Sequence, residues 1–413
     1  MYLQLLERRI REGTLRLTLP DGSTRVLGSG EPRAEWIIRG RRTLGRIARD
    51  PGLALGETYM EGEWDAGEGG LAALLVLLMR NFPERPLRGW RRLAVPPLRL
   101  LQQWNRVARS YRNVAHHYDL DEWLFRRMLD EDMHYSCAYF AEPGMNLEAA
   151  QRAKCAHLAA KLCLEPGQRV LDIGCGWGGL ALHLAREHGV EVTGLTLSRE
   201  QLRVARARAE AEGLADRVRF ELQDYREHRG TYDRIVSVGM FEHVGRPHYV
   251  TFFDRVRELL TREGVAVLHT IGRLGPPGLT NPWIRRYIFP GGYIPALSEV
   301  AAAIERSGLV NCDVEVLRLH YAHTLACWQA RFQEHRAEAA ARYGERFCRM
   351  WEFYLAVCEA AFRARDLVVF QIQLAQERDA VPPTRDYLYR EHGPAPREDA
   401  FTVEPPAPAR RTG

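Results

Sequence analysis

The segment Val170-Leu-Asp-Ile-Gly-Cys-Gly-Trp-Gly-Gly179 constrains the fold more than any other stretch of the chain. An apolar run ends in an acid and a cluster of glycines, and helical periodicity begins at once, over Trp177 to His188. Glycines at 174, 176 and 178 let the backbone approach a ligand where a side chain would collide with it. A strand, tight turn and helix of this kind opens a nucleotide-type α/β sheet. The flanking pattern agrees. Glu148 to Leu164 reads as a helix, and Arg169 to Ile173, Val190 to Leu197, Arg217 to Leu222, Arg234 to Gly239 and Gly264 to Thr270 read as strands, with helices between most of them. This alternation predicts a parallel sheet with helices on both faces.

The first hundred residues read differently. Leu15-Arg-Leu-Thr-Leu19 runs into the turn Pro20-Asp-Gly-Ser23, and helical periodicity follows at Thr43 to Arg49 and Leu71 to Met79. The expected organisation is a small N-terminal domain over residues 1–105, a catalytic domain over 106–390 and a disordered proline-rich tail over 391–413. After the fifth strand comes an insertion rich in Gly, Pro and aromatics (272–297). Two long helical stretches, 322–342 and 345–364, lead to a last apolar strand at Leu367 to Leu374.

Residues 80–112 hold nine arginines against Glu84, interleaved with Trp90, Trp104 and leucines. Such a segment can lie on an anionic bilayer surface, although taken alone its plainer reading is a solvated linker broken by Pro86, Pro96 and Pro97. The net charge of +5 is too small to announce a nucleic-acid partner, and none is expected. The longest apolar run, Leu71 to Met79, is about half of what a spanning helix needs. The eight cysteines form no C-x-x-C pair, which suits reduced thiols in the cytoplasm. No H-E-x-x-H or paired-cysteine spacing occurs, so no metal site is expected.

Gly174, Gly176 and Gly179 also satisfy G-x-G-x-x-G, so the loop alone does not choose its adenosine ligand. Two details favour S-adenosylmethionine. Asp172 stands just before the glycines, where a carboxylate suits a cation and would repel a pyrophosphate. A dehydrogenase also wants an acid at the end of the next strand for the ribose. That strand ends Thr193-Gly-Leu-Thr-Leu-Ser198 with none; Gln201 is the alternative ribose partner, and Gln223-Asp224-Tyr225 is placed for the adenine.

Further motifs carry a resemblance. His117-Tyr-Asp-Leu120, Met133-His-Tyr-Ser-Cys-Ala-Tyr-Phe140, the glycine loop, Gly239-Met-Phe-Glu-His-Val-Gly245, Leu268-His-Thr-Ile-Gly272, Trp283-Ile-Arg-Arg-Tyr-Ile-Phe-Pro-Gly-Gly-Tyr293 and His320-Tyr-Ala-His-Thr-Leu325 occur in this order. In that order and over about residues 15–390, the chain resembles the cyclopropane-fatty-acyl-phospholipid synthases. The resemblance implies a Rossmann-like S-adenosylmethionine methyltransferase fold: a doubly wound α/β sheet with helical insertions, plus the smaller N-terminal domain.

It also implies a site. The family holds a bicarbonate ion beside the reacting alkene, and its ligands carry over as Cys137, Glu242, His269, Ile271 through its backbone, and Tyr321. Tyr135 and Ser136 resemble the residues that close over the methionine end of the cofactor. With the loop reading, the expected cofactor set is Tyr135, Ser136, Asp172, Gly174, Gly176, Gly178, Thr196, Leu197, Gln201, Gln223 and Asp224.

The expected reaction moves the sulfonium methyl to a cis double bond of a phospholipid acyl chain and closes a cyclopropane ring. The carbocation on the way needs electron-rich faces, for which Tyr135, Phe140, Tyr287 and Phe289 are candidates. Substrate access implies a cytoplasmic enzyme that visits the inner face of the membrane, and the family further implies a homodimer. Methyl branching without ring closure, or methylation of a small molecule, are the alternatives. A nicotinamide dehydrogenase and a non-catalytic membrane-binding module stand further off.

Overall fold

The computed structural model describes residues 2–83 and 122–389. Most of the basic segment 80–112, the His117 motif and the tail therefore lie outside the described residues.

The N-terminal part opens with helix α1 (Tyr2–Arg9) and strands β1 (Gly13–Thr18), β2 (Thr24–Ser29) and β3 (Arg33–Ile38). Helices α2 (Thr43–Arg49) and α3 (Pro51–Met60), strand β4 (Trp64–Ala66) and helix α4 (Gly70–Asn81) complete it. Its sheet runs β2-β1-β3-β4, with β1 antiparallel to β2 and parallel to β3. Leu15 and Leu17 alternate inward along β1 with the period of two that a half-buried strand requires.

The large sheet has seven strands: β5 (Arg169–Ile173), β6 (Glu191–Thr196), β7 (Val218–Leu222), β8 (Tyr232–Val238), β9 (Leu260–Arg273), β10 (Val310–Leu317) and β11 (Leu367–Ala375). Their order is β10-β11-β9-β8-β5-β6-β7. Strands β5 to β9 are parallel, as the alternation predicts. The exception is β11, which runs antiparallel to both its neighbours, β9 and β10, so that β10 points the same way as β5 to β9. The expected parallel sheet is therefore a mixed one, because apolar periodicity reports burial and not direction. The strand order turns outward on both sides of the β5/β8 pair, the switch point where open α/β sheets bind ligands at the carboxyl ends of their strands.

Helix α5 (Glu122–Met128) packs through Phe125 against Trp177 and Trp351, and α6 (Leu147–Leu162), α7 (Gly179–His188), α8 (Arg199–Ala211) and α9 (Tyr249–Leu259) pack about this sheet. Asn146 caps α6 by accepting the Ala149 N–H at 2.9 Å, and Ser198 caps α8 through the Gln201 N–H. The 272–297 insertion holds a short helix α10 (Pro282–Tyr287) whose first turn is capped by Asn281. Helix α11 (Leu297–Ser307) follows, and α12 (His320–Glu334), α13 (Arg336–Tyr343) and α14 (Glu345–Ala364) fill the long helical stretches.

One apolar core joins the small sheet to these late helices, with Trp36, Leu74, Trp283, Trp328, Trp351 and Phe353 all inside it. The insertion is anchored there. Trp283 lies 4.7 Å from the Phe353 ring, and Glu57 of α3 accepts from Tyr287 Oη at 2.8 Å and Arg286 Nη1 at 3.1 Å.

Candidate active site

The glycine loop leaves β5 with Gly174 and Cys175 both donating their N–H groups to the Leu195 carbonyl, each at 2.9 Å. This fixes the loop against the end of β6. Gly176 has φ +54, and a Cβ built there meets nothing within 4 Å, so the open space over the loop is free for a ligand. The loop borders a cleft of about 1240 Å³, a figure that includes its open mouth.

Ten of the expected cofactor residues line this cleft: Tyr135, Ser136, Asp172, Gly174, Gly176, Thr196, Leu197, Gln201, Gln223 and Asp224. Gly178 is not among them. A Cβ at that position would come within 2.8 Å of Phe220 and 3.0 Å of Ala205, so its requirement for glycine is met by packing. Thr196 Oγ1 donates to Gln201 Oε1 at 2.9 Å and holds that side chain on the cleft wall. Both carboxyl oxygens of Asp224 are engaged by Arg226, at 2.8 and 2.7 Å, and Gln223 Oε1 is held 2.6 Å from His228 Nδ1.

Asp172 is the electrostatic centre of the cleft. Burial pushes its carboxyl up to about 7, against the nearby charges of Lys154 and His134. Its Oδ2 is buried with no partner among the described residues. An orphaned carboxyl oxygen above an open glycine loop fits the cationic end of S-adenosylmethionine.

Beside this cleft the second set of residues comes together only in part. Glu242, on the turn after β8, accepts the Ile271 N–H on Oε1 at 2.6 Å. Burial raises its carboxyl to about 7, opposed by that hydrogen bond, and Oε2 has no partner among the described residues. The Ile271 amide is thus already given to Glu242. Cys137 is fully buried, its thiol pushed far up by desolvation, and it joins Ile271 and Tyr321 in one apolar cluster. The Tyr321 hydroxyl is also driven far up by burial, with Tyr135, Cys137 and Glu242 raising it further. His269 extends from β9 toward Gln371, whose Nε2 lies 3.2 Å from its Nδ1, and burial lowers it to about 3. It is a neutral imidazole at physiological pH.

Several members of the site left no trace in the sequence reading. Tyr135 meets Tyr354 through their hydroxyls at 2.7 Å, and its ring lies 5.1 Å from Trp328. Phe289 packs 5.8 Å from Tyr354 and 5.9 Å from His243, which lines the cleft. Two of the four aromatic candidates, Tyr135 and Phe289, thereby share Tyr354. Phe140 instead packs edge-on to His323, and Tyr287 lies tilted against Trp283, 5.4 Å between ring centres. His134 lines the cleft too. With Asp130 and Asp132 it brings ligand-type atoms within 4.8 Å, but protein contacts hold all three. Arg208 donates to Asp132 at 2.6 Å, and Asp130 takes the His134 N–H and lies 2.8 Å from Nδ1.

Comparison with known proteins agrees with this geometry. Residues 105–372 match the mycolic acid cyclopropane synthetase family, and residues 1–83 match a domain family of unknown function. The chain is 40% identical over 344 residues to the cyclopropane-fatty-acyl-phospholipid synthase of Escherichia coli strain K12, covering 83% of this chain and 88% of that protein. It is 38% identical over 391 residues to a tuberculostearic acid methyltransferase of Mycobacterium tuberculosis, covering 91% and 90%. The solved cyclopropane synthase MmaA2 of the same organism superposes with a TM-score of 0.61 at 36% identity, over 64% of this chain and 98% of that one. The loop, the cleft and these matches converge: the chain belongs to the mycolic acid cyclopropane synthetase family of S-adenosylmethionine-dependent methyltransferases.

Proposed function

We propose that this enzyme transfers the methyl of S-adenosylmethionine to a cis double bond of an unsaturated phospholipid acyl chain and closes a cyclopropane ring. The observation that carries the reading is Glu242: a buried carboxyl, half unpartnered, beside the cofactor cleft and against an apolar cluster. The co-substrate supplies an electrophilic methyl. An unactivated alkene attacks it only if held close and in line, so the chain's first task is positioning.

Attack forms a carbon–carbon bond, breaks the sulfur–methyl bond and leaves a carbocation on the neighbouring carbon. The faces of Tyr135, Phe289, Tyr354 and Trp328 are suited to steady that cation. His269, neutral at physiological pH, adds no repulsion. Loss of a proton from the transferred methyl then lets the ring close, giving S-adenosylhomocysteine and one proton. Bicarbonate, when bound, supplies the base for this proton. The partnerless Glu242 Oε2, the Tyr321 hydroxyl, the Cys137 thiol and His269 are the groups that would hold it, with Glu242 taking the ion's own proton.

The arginine-rich segment 80–112 supports delivery of the acyl chain at the inner, anionic face of the membrane, with the N-terminal domain (1–105) joined to the catalytic domain (106–390). Among the described residues no helix is long and apolar enough to cross a membrane. A second reading, methyl transfer without ring closure, is supported by nearly equal similarity to the tuberculostearic acid methyltransferase. The same site would serve both.

The test is incubation with unsaturated phospholipid vesicles and methyl-labelled S-adenosylmethionine, followed by mass spectrometry of the acyl chains. A gain of one CH₂ with loss of the double bond supports cyclopropanation. A gain with the alkene retained or reduced supports branching. No label in lipid, with cofactor binding intact, rejects the lipid substrate.

A further inference from the structure

The chain meets almost every need for a cation with arginine. Of its 58 basic residues only Lys154 and Lys161 are lysines, both on α6, and both are fully buried. Lys161 is accounted for by its ion pair with Glu315 at 2.5 Å. Lys154 is not. Among the described residues no carboxylate lies within ion-pair distance of it, and its single hydrogen bond goes to Ser136 Oγ at 3.1 Å. Asp130 and Asp172 feel its charge from further off, and Asp130 is already engaged by His134.

This arrangement is chemically directional. An ammonium has three N–H donors and no acceptor, so Ser136 must be the acceptor in the pair. The Ser136 hydroxyl proton is then turned away from Lys154. Both residues line the cofactor cleft, as do Tyr135 and Asp172. A buried cation with one neutral partner is costly unless an anion completes it. The cleft therefore offers, side by side, a donor hydroxyl, an ammonium with N–H groups to spare and, at Asp172, an orphaned acceptor. An α-amino acid end, with its carboxylate and ammonium, answers all three.

Resting on the S-adenosylmethionine reading above, we propose that Lys154 is a positioning residue for the carboxylate of the co-substrate's methionine end, acting through Ser136 and through its own charge. The compact ammonium suits this enclosed place better than the planar guanidinium the chain uses elsewhere.

The test is calorimetry on the full chain at pH 8 with three ligands: S-adenosylhomocysteine, its decarboxylated analogue, and 5′-methylthioadenosine. The wild type is expected to prefer S-adenosylhomocysteine over the decarboxylated analogue by roughly tenfold to a hundredfold, the strength of a charge-assisted hydrogen bond. Lys154→Met is expected to lose most of that preference and to keep its methylthioadenosine affinity within about twofold. Ser136→Ala should lose a similar part, and the double variant little more. Equal weakening toward all three ligands, or an unchanged preference, overturns the inference. If Lys154→Met does not fold, an unchanged preference in Ser136→Ala overturns it. Failure of the wild type to bind S-adenosylhomocysteine at all overturns the methyltransferase reading along with it.

Discussion

Glu242 and Ile271, 29 residues apart, meet through one hydrogen bond of 2.6 Å that ties the turn after β8 to the end of β9. It engages one carboxyl oxygen and leaves the other buried without a partner among the described residues. Burial sets the carboxyl near 7, so it changes charge within the physiological pH range. In the proposed role the ionised form is the useful one. Turnover at saturating substrate should therefore rise with pH through about 7 and level off above it. Glu242→Gln should lower it by roughly a hundredfold or more and abolish that step. A variant that keeps the same pH step would place the titrating group elsewhere.

The same carboxyl carries a stability signature of opposite sense. Its folded value lies above the ordinary 4.5, so the native state holds its proton more tightly than the unfolded chain. The associated stability is complete below about 4.5 and is lost as pH rises to about 7. Removing the charge removes the loss. Glu242→Gln should be more stable than the wild type at pH 8, by roughly 1–3 kcal/mol, and equal to it near pH 4. Urea melts at the two values decide it. A difference independent of pH would mean that the carboxyl is not strained by burial.

Asp172 makes a parallel prediction about binding. Its carboxyl also sits near 7 through burial, and the residue lines the cleft with one buried oxygen unpartnered among the described residues. Affinity for S-adenosylmethionine should strengthen between pH 6 and 8, by up to about tenfold per unit below the midpoint. Asp172→Asn should flatten this part of the profile and bind roughly tenfold more weakly at pH 8. The ligand's own amino group titrates in both proteins, so the difference between the profiles is the quantity to read. Superimposable profiles would remove Asp172 from the cation's partners.

How far the sequence speaks differs from element to element. β5 and β6 are legible because buried strands are apolar runs bounded by glycine or a cap. β10 is hidden: Asp313 and Glu315 alternate along it to face Lys161 and His157, so a strand paired with a charged helix face reads as polar loop. Individual site residues are legible through long motifs, but their partnerships are tertiary. Nothing local to Lys154 signals Ser136, which lies 18 residues before it. Tyr354 and Trp328 sit in helices with ordinary apolar stripes and carry no mark of the cluster they build around Tyr135.

The anchoring of the insertion gives the last prediction. Gly56 of α3 lies against the insertion so closely that a Cβ there would stand 2.4 Å from Trp283 Nε1 and 2.7 Å from Phe353. Both rings belong to the shared core, and Trp283 is almost wholly buried, so neither can swing aside into solvent. Gly56→Ala should gain helix propensity and still lose about 1–3 kcal/mol, because overpacking outweighs propensity. Gly45→Ala in α2 is the matched control, since its Cβ would only touch the Tyr2 ring at 3.4 Å. It should be neutral or slightly stabilising. The Gly56 variant should also loosen α10, whose Tyr287 and Arg286 rest on the neighbouring Glu57, and faster hydrogen exchange over 282–289 would report it. Unchanged melting and unchanged exchange together would mean that the small domain does not hold the insertion in place.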